Sequence, residues 1–239
     1  MTAPTPVTAP DPTPVFDPEH AERLIRGRRA TRAYRPDPVP EETLRRVFAL
    51  AAAAPSSSNT QPWQVEVVSG AARDALSRDL LAAAEEERLS LDFPYQDDLY
   101  ADVHRQRRSE AGALMYGAMG VARDDLAGRA AVNRESLRFY GAPHVALLFL
   151  PPNADARMVN DVGMYAQTLL LALTAYGVAS CPQGLLGFYA DTIRASLRLT
   201  EERPKLMIGI SFGYADPASS WNAVTVPRAD LGETTRFRE

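Results

Sequence analysis

The chain has 239 residues, 46% of them apolar, and a formal charge of -4, which provides for a substantial core and argues against general affinity for nucleic acid or anionic membranes. Its single cysteine, Cys181, excludes an intramolecular disulfide and makes a reducing compartment the default. No apolar run approaches the roughly 20 residues that cross a bilayer, and the first residues lack the segments of a signal peptide, so a cytoplasmic location is expected.

Residues 1 to about 15 alternate proline with Thr, Ala, Val and Asp and read as a disordered leader, because such a composition buries too little surface to offset ordering entropy. Asp17-Pro18-Glu19 supplies an N-cap, a proline at the first helical position and an early acid. The helix they open carries Leu24 and Ile25 and delivers Arg28-Arg29-Ala30-Thr31-Arg32 at or just beyond its end. A second helix opens at Pro40-Glu41-Glu42, holds Leu44, Val47, Phe48 and Ala51 at helical spacing, and stops at Pro55. There a polar run begins, Pro55-Ser56-Ser57-Ser58-Asn59-Thr60-Gln61-Pro62-Trp63. Trp63, Val65 and Val67 then alternate with Gln64 and Glu66 as a short, half-buried strand closed by Gly70.

Residues 71 to about 138 read as helical, with Leu76, Leu80 and Ala84 on one face, a break around Phe93-Pro94-Tyr95, and further helices after Asp98 and Asp124. Residues 144–150 are continuously apolar after His144 and suit a central strand covered on both faces. Residues 155–176 form the most apolar helix, with Met158, Val162, Tyr165, Leu169, Leu173 and Tyr176 in step and Gly177 as its C-cap. Ser180-Cys181-Pro182-Gln183-Gly184 reads as a loop, followed by a short amphipathic helix at about 190–198 and a strand over 205–213. Residues 215–239 have no clear period and need another surface to lie on if ordered.

Two of these segments suit a ligand. Three guanidinium groups within five residues can bind a phosphate through bidentate, charge-assisted bonds, although arginines at a helix end can equally just complement its dipole. Ser56, Ser57, Ser58, Asn59, Thr60 and Gln61 are ordinary turn formers, yet together they match a ring edge of alternating carbonyls and N–H groups. A flat, phosphorylated cofactor would use both segments, and flavin mononucleotide (FMN) fits that description. Metal chemistry lacks a pattern, since His20, His104 and His144 are far apart and without ligand spacing. Cys181 has no evident histidine partner and reads as a small residue beside a turn. Gly184-Leu185-Leu186-Gly187 is not a dinucleotide fingerprint.

Taken in order, Arg28-Arg29-Ala30-Thr31-Arg32, the polar 55–63 run, Cys181-Pro182-Gln183-Gly184 and Gly209-Ile210-Ser211-Phe212-Gly213-Tyr214 resemble the FMN-dependent nitroreductase family from about residue 20 onward. The resemblance implies an α+β fold, with a mixed, mainly antiparallel central sheet flanked by helices, built as an intertwined homodimer with two FMN sites at the interface. It implies one domain over residues 16–239, with a variable helical lid at about 85–140 and an extended C-terminal arm at about 215–239. By position, Arg28, Arg29 and Arg32 correspond to phosphate and ribityl contacts, the backbone of Ala30 lies beside them, and Arg228 in the arm completes the phosphate site. Pro55, Ser56, Ser57 and Asn59 correspond to flavin contacts from the partner subunit, while Gln183 and Gly184 place backbone groups at the reactive N5 edge. The chain departs from the family where Ala30 replaces a frequent serine, and where Thr225 and Val226 stand near a usual basic residue. Tyr95, Tyr100, Arg105 and Arg108 are candidate lid residues, although an exposed helix face explains the charges equally.

What the resemblance implies about function is transfer of a hydride from NADH or NADPH, through the flavin, to a nitroaromatic, quinone or similar electrophile by ping-pong kinetics. The flavin carries the redox chemistry, so no catalytic side-chain dyad is expected. The alternatives are a specialised flavin enzyme of the same fold, such as a reductive dehalogenase or a dehydrogenase of a biosynthetic intermediate, or a flavin-binding sensor or carrier without turnover.

Overall fold

A computed structural model describes residues 17–238, and the leader expected over 1–15 lies outside them. The four strands are β1 (Gln64–Ser69), β2 (His144–Leu150), β3 (Ala179–Gln183) and β4 (Lys205–Gly213), arranged in the order β1-β2-β4-β3 with every pairing antiparallel. Parallel contacts are confined, among the described residues, to isolated bridges such as Ala30 to Ser180 and Ser90 to Tyr189.

β2 is buried along its whole length, as its apolar run requires of a strand covered on both faces. Alternate residues feed two cores. Ala146, Leu148 and Leu150, with Ile210 and Phe212 of β4, pack against α2 (Glu41–Ala51) and α6 (Ala156–Ala175) through Val47, Ala51, Val162, Tyr165, Leu169 and Leu173. Val145, Leu147 and Phe149 face the other way, onto Leu76 and Leu80 of α3 (Gly70–Glu85), Leu137 of α5 (Leu126–Leu137) and Ile193 of α7 (Ala190–Ser196). The result is a sheet between two helical layers, the α+β arrangement expected.

α1 (Pro18–Gly27) begins as its sequence requires, Asp17 accepting from the Glu19 N–H at 2.9 Å, and it buries no residue in this chain. α6 is capped by Asp155, which accepts from the Arg157 and Met158 N–H groups, and it ends before Gly177, whose φ of +70° is the left-handed cap expected. Between α3 and α5 lies α4 (Asp102–Ala118), after the break expected near Pro94. No helix among the described residues is long and apolar enough to cross a membrane.

One expectation is corrected. Residues 180–184 are not a loop: Ala179–Gln183 form an edge strand, and Gly184–Phe188 continue as 3-10 turns without a positive φ at Gly184. The carbonyl of Ser180 points away from β4, accepting from the Thr31 N–H at 2.9 Å, so Pro182, two residues on, also faces outward and its missing N–H costs no ladder bond. The aperiodic arm is partly structured, with α8 (Leu231–Thr234) held by an Asp230 and Glu233 capping box. It finds its surface on α4, through Arg107 to Glu233 at 2.7 Å and the Ser220 hydroxyl donating to the Ala118 carbonyl at 3.0 Å.

Candidate functional site

The arginine segment leaves α1 in extended conformation and runs across the outer edge of β3. Thr31 binds Ser180 there, and the segment is fastened on its other side by Asn222. Asn222 Oδ1 accepts from the N–H groups of Arg32 (2.8 Å) and Ala33 (3.2 Å), and its Nδ2 donates to the carbonyls of Ala33 (2.8 Å) and Asp216 (2.9 Å). All four hydrogen-bonding capacities of the amide are therefore used on backbone. Tyr34 adds a hydroxyl bond to the Ser211 carbonyl at 3.2 Å, and burial pushes its phenol well above the usual range.

Neighbouring arginines are neutralised: Arg23, Arg26, Arg35, Arg45 and Arg46 each pair with a carboxylate. Among the described residues no carboxylate pairs with Arg28, Arg29 or Arg32. Arg28 and Arg32 are half-buried beside β3 and Arg29 is exposed. An uncompensated cationic cluster fixed to a rigid edge is what an anionic group such as a phosphate requires. Beneath it Cys181 is buried; desolvation lifts its thiol to about 11, against the charges of Arg32 and Arg28. That makes the thiol an inert packing group, as expected, although it sits in a strand and not at a turn.

At the far end of β3 the Gln183 side chain turns inward, its Nε2 donating to the carbonyl (2.7 Å) and hydroxyl (2.9 Å) of Ser136 in the last turn of α5. Gln183 is buried and, two residues on from Cys181, turns its backbone toward β4, so the exposed Gly184 is what this edge leaves open. Tyr140, which follows Phe139 in a pair of left-handed residues (φ +54° and +58°), faces both Ser136 and Arg32, and burial raises its phenol above the ordinary value. Of the lid candidates, Tyr95 sets its ring 5.9 Å from that of Phe188, in the turns that follow Gly184, and Arg108 pairs with Asp97 at 2.5 Å. Hydrogen bonding by Arg108 holds the Asp97 carboxyl below its usual range.

The 55–63 loop contains a turn at Ser57–Asn59; Ser58 and Asn59 within it and Gln61 just after it have positive φ (+51°, +57° and +48°). Besides its backbone bonds from Asn59 to Ser56 and from Thr60 to Ser57, the turn is held by Ser56 Oγ accepting from the Gln61 N–H at 2.9 Å and Asp161 Oδ1 accepting from the Ser57 N–H at 3.1 Å. Trp63 closes the loop, its ring 4.9 Å from Tyr165 of α6. The side chains of Ser57 and Asn59 remain exposed.

The structure brings Arg28, Arg29, Ala30 and Arg32 onto the edge that ends in Gln183 and Gly184, but it does not bring Ser56, Ser57 and Asn59 to them. Ser57 is anchored at Asp161, whereas the Ala30 to Ser180 bridge lies beyond the other end of α6. Asp161 and Ala175 are separated by about 21 Å of helix at 1.5 Å per residue. The loop also feeds β1, at the opposite edge of the sheet from β3. The Arg228 guanidinium donates to the carbonyls of Val226 and Pro227 and lines a cavity of about 730 Å³ against α4.

Sequence reasoning missed Asn222, Asp161 and Ser136. Asp161 alone left a signal, an acid three residues after Met158 and four before Tyr165 on the apolar face of α6.

A model of the nitroreductase family matches residues 25–214. The nitroreductase NfnB of Mycolicibacterium smegmatis is 61% identical over 217 residues, which cover 91% of this chain and 92% of that protein. The 4-nitrobenzoate reductase of Pseudomonas putida is 32% identical over 216 residues, 90% of this chain and 94% of that protein. Among solved structures, the FMN-dependent nitroreductase NfnB from Mycobacterium smegmatis in complex with NADPH superposes with a TM-score of 0.91 at 59% identity, covering 93% of this chain and 99% of that one.

Proposed function

The chain belongs to the nitroreductase family, and from that premise we propose that it is an FMN-dependent oxidoreductase passing reducing equivalents from NADPH to a nitroaromatic or similar electrophile. The observation that carries the reading is the unneutralised Arg28, Arg29 and Arg32 cluster on the edge of β3, the strand that leads to the exposed Gly184. Bound FMN would supply the hydride chemistry. The chain's own residues would hold and orient it: Arg28, Arg29, Arg32 and the Ala30 backbone at the phosphate and ribityl end, and the Gly184 backbone at the reactive edge, with Gln183 fixing the strand end that presents it. An N–H placed there stabilises developing negative charge without a titrating side chain. NADPH and the acceptor would react with the bound flavin in turn, so ping-pong kinetics are expected.

The polar loop serves a second copy. Its distance from its own arginines supports a homodimer in which Pro55, Ser56, Ser57 and Asn59 of one protomer meet the flavin held by the other, with Arg228 closing a phosphate site from the arm. Exposed apolar side chains on unburied elements, such as Ile25 at 57%, support the same assembly. Residues 16–239 act as one domain with its lid over 85–140, working in the cytoplasm. The activities named for the relatives favour nitroaromatic reduction over the dehalogenase, biosynthetic dehydrogenase and non-catalytic carrier readings. The test is purification from a flavin-replete host followed by stopped flow. Yellow protein whose flavin is bleached by NADPH and reoxidised by a nitroaromatic is expected; colourless protein that binds no added FMN overturns the reading.

A further inference from the structure

Asp161 is 2% exposed on the apolar face of α6, and its Oδ2 has no hydrogen-bond partner among the described residues. A buried carboxyl oxygen without a donor is costly, so a fold that keeps one has a use for it. Its Oδ1 accepts from the Ser57 N–H at 3.1 Å, the leading N–H of the turn that carries Ser57 and Asn59. Ser56 occupies the capping position of that turn but makes no cap bond, its Oγ being taken by the Gln61 N–H. The carboxyl on α6 therefore does the capping from outside the turn. The turn needs it, because three non-glycine residues within four positions hold a left-handed backbone, each at a cost that persists only where the surroundings fix the shape.

We propose that Asp161 is a positioning residue for FMN: it locks the 56–61 turn in the strained shape that presents Ser57 and Asn59 to the cofactor. The proposal rests on the FMN reading of the loop. Asp161 contributes to cofactor binding at the expense of the cofactor-free fold, since one of its oxygens is buried unpaired there. Its removal weakens FMN binding without lowering the melting temperature of the flavin-free chain.

The test compares the full-length wild type with Asp161→Ala and Asp161→Asn, reading FMN affinity by fluorescence titration, the visible spectrum of bound flavin, and the melting temperature of each protein stripped of flavin. Asp161→Ala is expected to raise the FMN dissociation constant about tenfold or more, as loss of a bond to a charged acceptor implies. Its stripped form should melt no lower than wild type, and Asp161→Asn, which keeps an acceptor for Ser57, should recover most of the affinity. Unchanged FMN affinity in Asp161→Ala overturns the proposal. So does a loss of affinity accompanied by a fall in the melting temperature of the stripped Asp161→Ala protein. Failure of the wild type itself to bind FMN strikes the reading of the site, and is separated from failure of this proposal by the wild-type titration alone.

Discussion

Asn222 fastens the arginine segment from a part of the chain 190 residues away, so removing it should loosen the site without touching a charge. Asn222→Ala deletes four hydrogen bonds, two accepted from Arg32 and Ala33 and two donated to Ala33 and Asp216. At about 1 kcal/mol each these set an upper figure of about 4 kcal/mol, and because the site is half-buried water recovers part of it, leaving about 2 kcal/mol. If about 1.4 kcal/mol of this is expressed in cofactor binding, the FMN dissociation constant rises about tenfold. Denaturant unfolding of the flavin-free protein and fluorescence titration with FMN measure the two parts separately. Asn222→Asp should be at least as damaging as alanine, since it turns a carboxylate oxygen toward the carbonyls of Ala33 and Asp216. A stability loss below about 0.5 kcal/mol with unchanged FMN affinity refutes the view that Asn222 sets the Arg32 backbone.

Arg32→Ala should weaken FMN retention by about tenfold or more, the worth of one charge-assisted contact; a titration showing wild-type affinity removes Arg32 from the phosphate role. His144 is buried between the Val39 N–H, which donates to its Nε2 at 2.9 Å, and Ser69 Oγ, 2.6 Å from Nδ1. Burial lowers its pKa, so the fold keeps it neutral. Its contribution is therefore fully present above the unfolded histidine value of about 6.5 and is lost as pH falls below that toward the folded value. Unfolding free energy should drop below pH 6.5 with a slope from this group of at most about 1.4 kcal/mol per pH unit. In His144→Gln that slope should flatten, and an unaltered pH profile would remove His144 as its source.

What the sequence disclosed followed from local rules. Residues 144–150 could be read as a doubly covered strand because both of their faces are apolar, α1 announced itself through its Asp17 cap, and α6 through its apolar spacing and Gly177. β3 was hidden because proline and glycine within three residues are turn signals, and only the pairing partners show that Pro182 faces off the edge of the sheet. The Ala30 to Ser180 bridge and the Asn222 clip join residues about 150 and 190 apart, and no periodicity encodes such a contact. Asp161 is the intermediate case. Its place on an apolar helix face marks it as unusual, while its partner, a backbone N–H in a strained turn, becomes visible only in three dimensions.

The central claim is that each flavin site takes its arginines from one protomer and its polar loop from the other. Mixed dimers of an Arg28→Ala, Arg32→Ala chain with a differently tagged Ser57→Ala, Asn59→Ala chain test it directly, by flavin stoichiometry after tandem purification. Each variant alone should retain little FMN, whereas the mixed dimer contains one wholly wild-type site and should hold one FMN per two chains. A mixed dimer as empty as its parents would place both segments of the site in the same chain and contradict the account.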